Sequence, residues 1–142
     1  MSDEQGRHFV DTNVFVYAYD HKADEKHQRA QDILRDLWAN RNGCVSIQIL
    51  QEFYVTVTRK IPNPLTSDAT AQIISDLATW TVHSPTSTDV LNAIEIQQRH
   101  QLSFWDAMVI NSAIQLGCDI LWSEDLNDGQ FYDGVRVSNP FN

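Results

Sequence analysis

The chain has 142 residues, 42% of them hydrophobic and 20% charged, a balance that excludes a disordered or fibrous protein and allows one domain with a sizeable core. Ten Lys and Arg against 19 Asp and Glu leave a formal charge of −9, and no basic block exceeds Arg59-Lys60, which excludes a broad cationic footprint for a polyanion. No apolar run reaches membrane-spanning length, and Ser2-Asp3-Glu4-Gln5 offers neither the basic start nor the apolar core of a secretory leader, so a cytoplasmic setting is expected.

His8-Phe9-Val10 reads as a short buried strand, and Asp11 falls where it must end. A carboxylate directly after a buried apolar run is costly unless it caps, pairs or binds a cation. Val14 to Tyr19 is expected as a short helix, and Asp20 to Asp24 as a polar connection. A helix from about Glu25 to Ala39 carries the stripe Ala30, Ile33, Leu34 and Leu37 with Trp38 beside it, and Arg41-Asn42-Gly43 stops it. Cys44-Val45-Ser46 is a second strand. Ser46 then caps a helix to about Lys60 whose buried face is Ile47, Leu50, Tyr54, Val57 and Ile61, broadened by Ile49 and Phe53.

Pro62-Asn63-Pro64 marks a loop, and a helix follows from about Ser67 to Leu77. Trp80 to His83 is a third strand. Thr86-Ser87-Thr88 caps a helix to about His100, and Ser103 opens another from Phe104 to about Leu116, closed by Gly117. Asp119 to Trp122 is a fourth strand, Ser123 to Gly129 a loop, and Val135-Arg136-Val137 a fifth, short edge strand before the tail Asn139-Pro140-Phe141. Strands separated by helical patterns imply right-handed crossovers and a mainly parallel sheet covered on both faces. The expected architecture is a three-layer α/β/α domain over residues 1–142 with about five strands. Cys44 and Cys118 lack Cys-x-x-Cys spacing and read as buried free thiols, and the five histidines show no zinc spacing.

Four acids fall just past strands or at helix starts: Asp11, Glu52, Asp106 and Asp125. In a parallel sheet those positions share one rim, so carboxylates distant in sequence can meet. Converging carboxylates without lysines repel one another unless hard cations such as Mg²⁺ or Mn²⁺ are held between them. Each acid also has a purely structural reading. Asp11 can cap a helix, Asp106 stands at capping-box spacing from Ser103, Glu52 lies on a polar helix edge with Gln48 and Arg59, and Asp125 can belong to a turn. Trp105 and Trp122 adjoin these positions and are read as core or as stacking platforms, and Arg59, Lys60 and Arg99 as candidate phosphate contacts. No Ser-His-Asp order and no Gly-rich phosphate loop is evident.

Phe9-Val10-Asp11-Thr12-Asn13-Val14 resembles the opening motif of PIN-domain ribonucleases, particularly the VapC-type toxins of bacterial toxin–antitoxin pairs. Ser46 to Phe53, Leu102 to Ala107 and Ile120 to Leu126 are similar to that family's second, third and fourth motifs, in order and across essentially the whole chain. The resemblance implies an endoribonuclease with one or two Mg²⁺ or Mn²⁺ ions on Asp11, Glu52, Asp106 and Asp125, and with Thr12, Asn13, Ser123 and Asp128 lining the site. It also implies an RNA substrate, a cognate antitoxin and a homodimer. The rival reading is a catalytically inactive PIN-like or receiver-like binding module. A haloacid dehalogenase phosphatase would need its second Asp where Asn13 stands, and a receiver a lysine where Trp122-Ser123-Glu124 has none.

Overall fold

The computed structural model describes residues 6–142, so the expectation about Ser2 to Gln5 lies outside the described residues. In chain order the elements are β1 (His8–Val10), α1 (Thr12–Tyr19), α2 (Glu25–Asn40), β2 (Gly43–Ser46), α3 (Ile47–Arg59), α4 (Ser67–Leu77), β3 (Thr81–His83), α5 (Ser87–His100), α6 (Phe104–Gln115), β4 (Ile120–Trp122), β5 (Phe131–Tyr132) and β6 (Val135–Ser138). A short 3₁₀ turn occupies His21–Ala23 within the polar connection after α1.

The sheet runs β3-β2-β1-β4-β6-β5, parallel except for the β5–β6 pair. The chain moves outward from β1 to β2 and β3, then returns to β4 on the other side of β1. Right-handed crossovers therefore place α1 to α4 on one face and α5 and α6 on the other. The reversal leaves a crevice between the carboxyl ends of β1 and β4, the place where ligands collect in open α/β sheets. Phe9, Val10, Val45 and Leu121 have no exposed surface, as expected for central strands covered on both sides.

The expected five strands are six. Val135 to Ser138 is not an edge strand: it lies between β4 and β5, and Tyr132 pairs with Val135 across the two-residue turn Asp133-Gly134. Both turn residues have positive φ, 47° and 90°, the geometry that an Asp-Gly pair supplies in tight hairpins. The first helix begins at Thr12 rather than Val14, because the Asp11 side chain accepts from the Thr12 N–H and serves as N-cap. The third strand begins at Thr81. Trp80 precedes it and packs against Gly43, where a Cβ would lie 2.6 Å from the indole ring.

On α3 the buried stripe is Ile49, Leu50, Phe53 and Val57, with Ile61 buried just beyond, whereas Ile47 and Tyr54 are exposed. The helix turns its i, i+4, i+8 row inward, so the stripe is rotated by about one position from the expected one. Cys44 and Cys118 are buried and free. No helix among the described residues is long and apolar enough to cross a membrane.

A buried polar cluster, absent from the sequence reading, ties the second face together. His83 Nδ1 lies 2.7 Å from Ser112 Oγ and its Nε2 lies 3.3 Å from Asp89, while Asn111 donates to Asp89 at 2.9 Å. This is a Ser-His-Asp chain, assembled in the order His, Asp, Ser. Ser112 is 1% exposed, so its hydroxyl has no opening to a substrate, and the cluster fastens β3 to α5 and α6.

Candidate functional site

The reversal point puts Asp11 and Ser123 side by side, because the Asp11 N–H bonds the Trp122 carbonyl at 3.0 Å as β1 and β4 end together. One Asp11 oxygen accepts from the Thr12 N–H at 2.8 Å, and the other from the Ser123 hydroxyl at 2.8 Å. The residue is buried. Burial pushes its carboxyl up to about 6 from 3.8, against the pull of the Ser123 and Thr12 hydrogen bonds and with help from the charges of Asp125 and Glu52.

The Ser123 hydroxyl also accepts from the Asp125 N–H at 3.2 Å, and Asn13 Nδ2 donates to the Asp125 carboxylate at 2.9 Å. Asp11, Ser123, Asp125 and Asn13 thus form a continuous hydrogen-bonded arc from the end of β1, through the loop after β4, to the first turn of α1. Burial raises the Asp125 carboxyl, and the charges of Asp106 and Glu124 add to the rise. From α3, Glu52 accepts from the Thr12 hydroxyl at 2.6 Å and from Gln48 Nε2 at 3.4 Å, and Gln48 also reaches the Trp105 carbonyl at 3.4 Å. Glu52 is therefore a tied residue rather than a solvated helix glutamate.

Asp106 sits half-buried in the first turn of α6, where its N–H bonds the Ser103 hydroxyl at 3.1 Å. Its carboxylate accepts no hydrogen bond among the described residues, so the reciprocal half of a capping box is missing there. That box occurs instead on α5, where Asp89 accepts from the Thr86 N–H and hydroxyl. The Asp106 charge faces Asp125 and Tyr132. Asp128 has both oxygens engaged by the tail, through the Asn139 N–H at 2.8 Å and Asn142 Nδ2 at 3.1 Å. Trp105 is exposed at 62%, while Trp122 is half-buried against the core and donates to His8 at 3.0 Å.

Every donor available to a cation here is an oxygen. Asn13 Oδ1 and Gln48 Oε1, beside the Asp125 and Glu52 carboxylates, are buried without a hydrogen-bond partner. Among the described residues no three His, Cys, Asp or Glu side chains converge closely enough to enclose an ion. That donor set fits Mg²⁺ or Mn²⁺, which take one or two carboxylates and complete their shells with water and substrate oxygens.

Three parts of the surroundings escaped sequence reading. Gln48, in sequence only a polar-edge neighbour, stands one helical turn before Glu52, and its bonds to Glu52 and the Trp105 carbonyl are the unread part. The loop after β4 is held by Glu124, which accepts from the Tyr17 hydroxyl at 2.7 Å and pairs with Lys26, 98 positions away, with no local signal. Finally, a groove of about 580 Å³ opens from Thr12, Asn13, Glu52 and Asp125 between α1 and α3 and reaches Lys60. Of the other two expected phosphate contacts, Arg59 does not line this groove, and Arg99 pairs with Glu95 and Asp133.

The model of the PIN domain family matches residues 8–132. Among curated proteins no sequence matches the chain. Among solved structures, the Mycobacterium tuberculosis toxin VapC20, a sarcin-ricin loop cleaving toxin, is 21% identical, with a TM-score of 0.64 over 83% of this chain and 89% of its own. A toxin–antitoxin complex from Klebsiella pneumoniae contains a chain 17% identical, with a TM-score of 0.67 over 93% of this chain and 96% of its own.

Proposed function

Because the chain belongs to the PIN domain family, we propose that it is a Mg²⁺- or Mn²⁺-dependent endoribonuclease, the toxin of a toxin–antitoxin pair. The observation that supports this most directly is the arc that ties Asp11 to Asp125 through Ser123, with Glu52 held beside it by Thr12. Asp11, Asp125, Asp106 and Glu52 would hold one or two ions. A bound ion supplies an acidified water and a counter-charge for the leaving oxygen of a phosphodiester.

The protein's own part is to fix donors before substrate arrives. Ser123 and the Thr12 N–H lock both Asp11 oxygens, which leaves their outward lone pairs as the directions open to a cation. Thr12 and Gln48 aim Glu52, and Asn13 aims Asp125. Asp106 has no local partner, so its charge is available across the cleft.

The test is cleavage of single-stranded RNA in Mn²⁺ with wild type, Asp11→Asn and Asp125→Asn. Loss of at least about 100-fold in either variant, and abolition by chelator, is the expected result. Cleavage that survives chelation or Asp11→Asn overturns the reading in favour of a binding module or a contaminant.

The charge of −9 suits a basic antitoxin segment, and an arginine among these carboxylates would exclude metal and substrate together. Co-expression should give a complex with little nuclease activity whose association slows as salt rises. The family reading also carries cytoplasmic action and a homodimer, the latter checked by light scattering of the free chain.

A further inference from the structure

The groove between α1 and α3 has a charge order of its own. Its inner end is the carboxylate site, its middle is apolar, and its outer end is Lys60. Val16 and Tyr17 on α1 face Val55 and Thr56 on α3 across that middle, and Val55 is 44% exposed. Lys60 is the C-cap residue of α3, eight positions past Glu52, a rise of about 12 Å. Its ammonium forms no ion pair or hydrogen bond among the described residues, as is also true of Lys22, Arg41 and Arg59, but among the cations it alone lines this groove, whereas Lys26, Arg29, Arg35 and Arg99 are engaged elsewhere.

We propose that this groove seats the nucleotide next to the cleaved bond of a single-stranded RNA, its base on the Val16 and Val55 shelf and its outer phosphate on Lys60. The inference rests on the nuclease reading for the position of the cleaved bond. The charge order favours RNA over a basic peptide. A polycation would be drawn to the carboxylates and repelled by Lys60, whereas a phosphate chain is held at the inner end with the cation and at the outer end by the ammonium. The largely apolar stretch between them, with Gln51 and Thr56 at its border, covers one face of a base by burial of apolar surface, without sequence reading. Lys60 is then a positioning residue for substrate and not a catalytic one.

The experiment measures cleavage of a mixed-sequence, ten-nucleotide, fluorescence-quenched RNA in Mn²⁺ between 50 and 300 mM salt, together with anisotropy binding of the same RNA. Lys60→Ala should raise KM roughly tenfold with kcat within about twofold, and reduce the slope of log affinity against log salt by about 0.7, the loss of one phosphate contact on a single strand. Lys60→Arg should restore both, and Val55→Asp should raise KM at every salt concentration. A purely structural role for Lys60 would leave the salt slope untouched.

Unchanged KM and slope in Lys60→Ala overturn the proposal while leaving the nuclease reading in place. Absence of cleavage by wild type, with the slope change still present in binding, removes the nuclease reading and keeps the groove as an RNA seat. A wild type that binds no RNA, or a Lys60→Ala variant that gains affinity only for an arginine-rich peptide, overturns the proposal.

Discussion

Replacing Asp11 by Asn in the metal-free protein should stabilise it at pH 7.5 and slightly destabilise it at pH 4. Burial, the largest influence, holds the folded carboxyl at about 6 against 3.8 for an ordinary aspartate. Below 3.8 the group is neutral in folded and unfolded chains alike and costs nothing. As pH rises from 3.8 to about 6 the unfolded chain ionises while the folded one keeps its proton, so the folded state loses stability, and above that window the loss is complete.

Two powers of ten in proton affinity correspond to about 3 kcal/mol. Asn cannot ionise, still accepts from the Thr12 N–H and remains a strong N-cap. The Ser123 hydroxyl must turn round to accept from the new amide, at about 1 kcal/mol. The net gain is about 2 kcal/mol at pH 7.5, or about 4–8 °C in Tm, turning into a loss of about 0.5 kcal/mol at pH 4, where the unfolded carboxyl is already about half ionised. Thermal melts of both proteins in EDTA at the two pH values measure it. An equal Tm difference at both, or destabilisation at pH 7.5, would refute the argument that an ionised carboxylate is held there against its solvation.

Gly43→Ala should cost about 1–3 kcal/mol in urea unfolding, because the new methyl meets the Trp80 ring. Ser103→Ala should cost about 1 kcal/mol by removing the acceptor for the Asp106 N–H. Asp106→Asn should hold or raise Tm, since it removes a charge that raises the Asp125 carboxyl, while RNA cleavage collapses; a large loss of Tm with partial activity would return Asp106 to a capping role. Lys26→Met should speed amide exchange in residues 123–129 and lower kcat with little change in Tm, because Glu124 loses the partner that holds the Asp125 loop.

What the sequence disclosed follows the reach of each interaction. The strand before Asp11 and the parallel order are legible because strand, cap and turn signals span only a few residues, whereas the four acids stand out as a set only through the resemblance to a family's motifs. The hairpin at Asp133-Gly134 is equally local, but two-residue β5 is too short to show an alternating pattern, so the sixth strand and the true sheet edge emerge only in the fold. The α3 stripe was misjudged at Ile47 and Tyr54 because apolar residues occur all round that helix and only its neighbours decide which row turns inward. The pairing of Lys26 with Glu124, and the meeting of His83, Asp89 and Ser112, join positions 98 and up to 29 apart, so the closed fold alone reveals them.

The two free margins of the sheet are very short, three residues in β3 and two in β5. A margin of that length presents too few unpaired amides and carbonyls to template a foreign strand. Crowded native copies therefore have little backbone through which to zip together, and contacts between them must run through side chains on helices. The apolar residues Phe9, Val10 and Leu121 sit in the two middle strands, β1 and β4, and are released only when the domain opens. Insoluble material should accordingly accumulate in step with the unfolded fraction on heating, and concentrated solutions of the folded chain should stay clear.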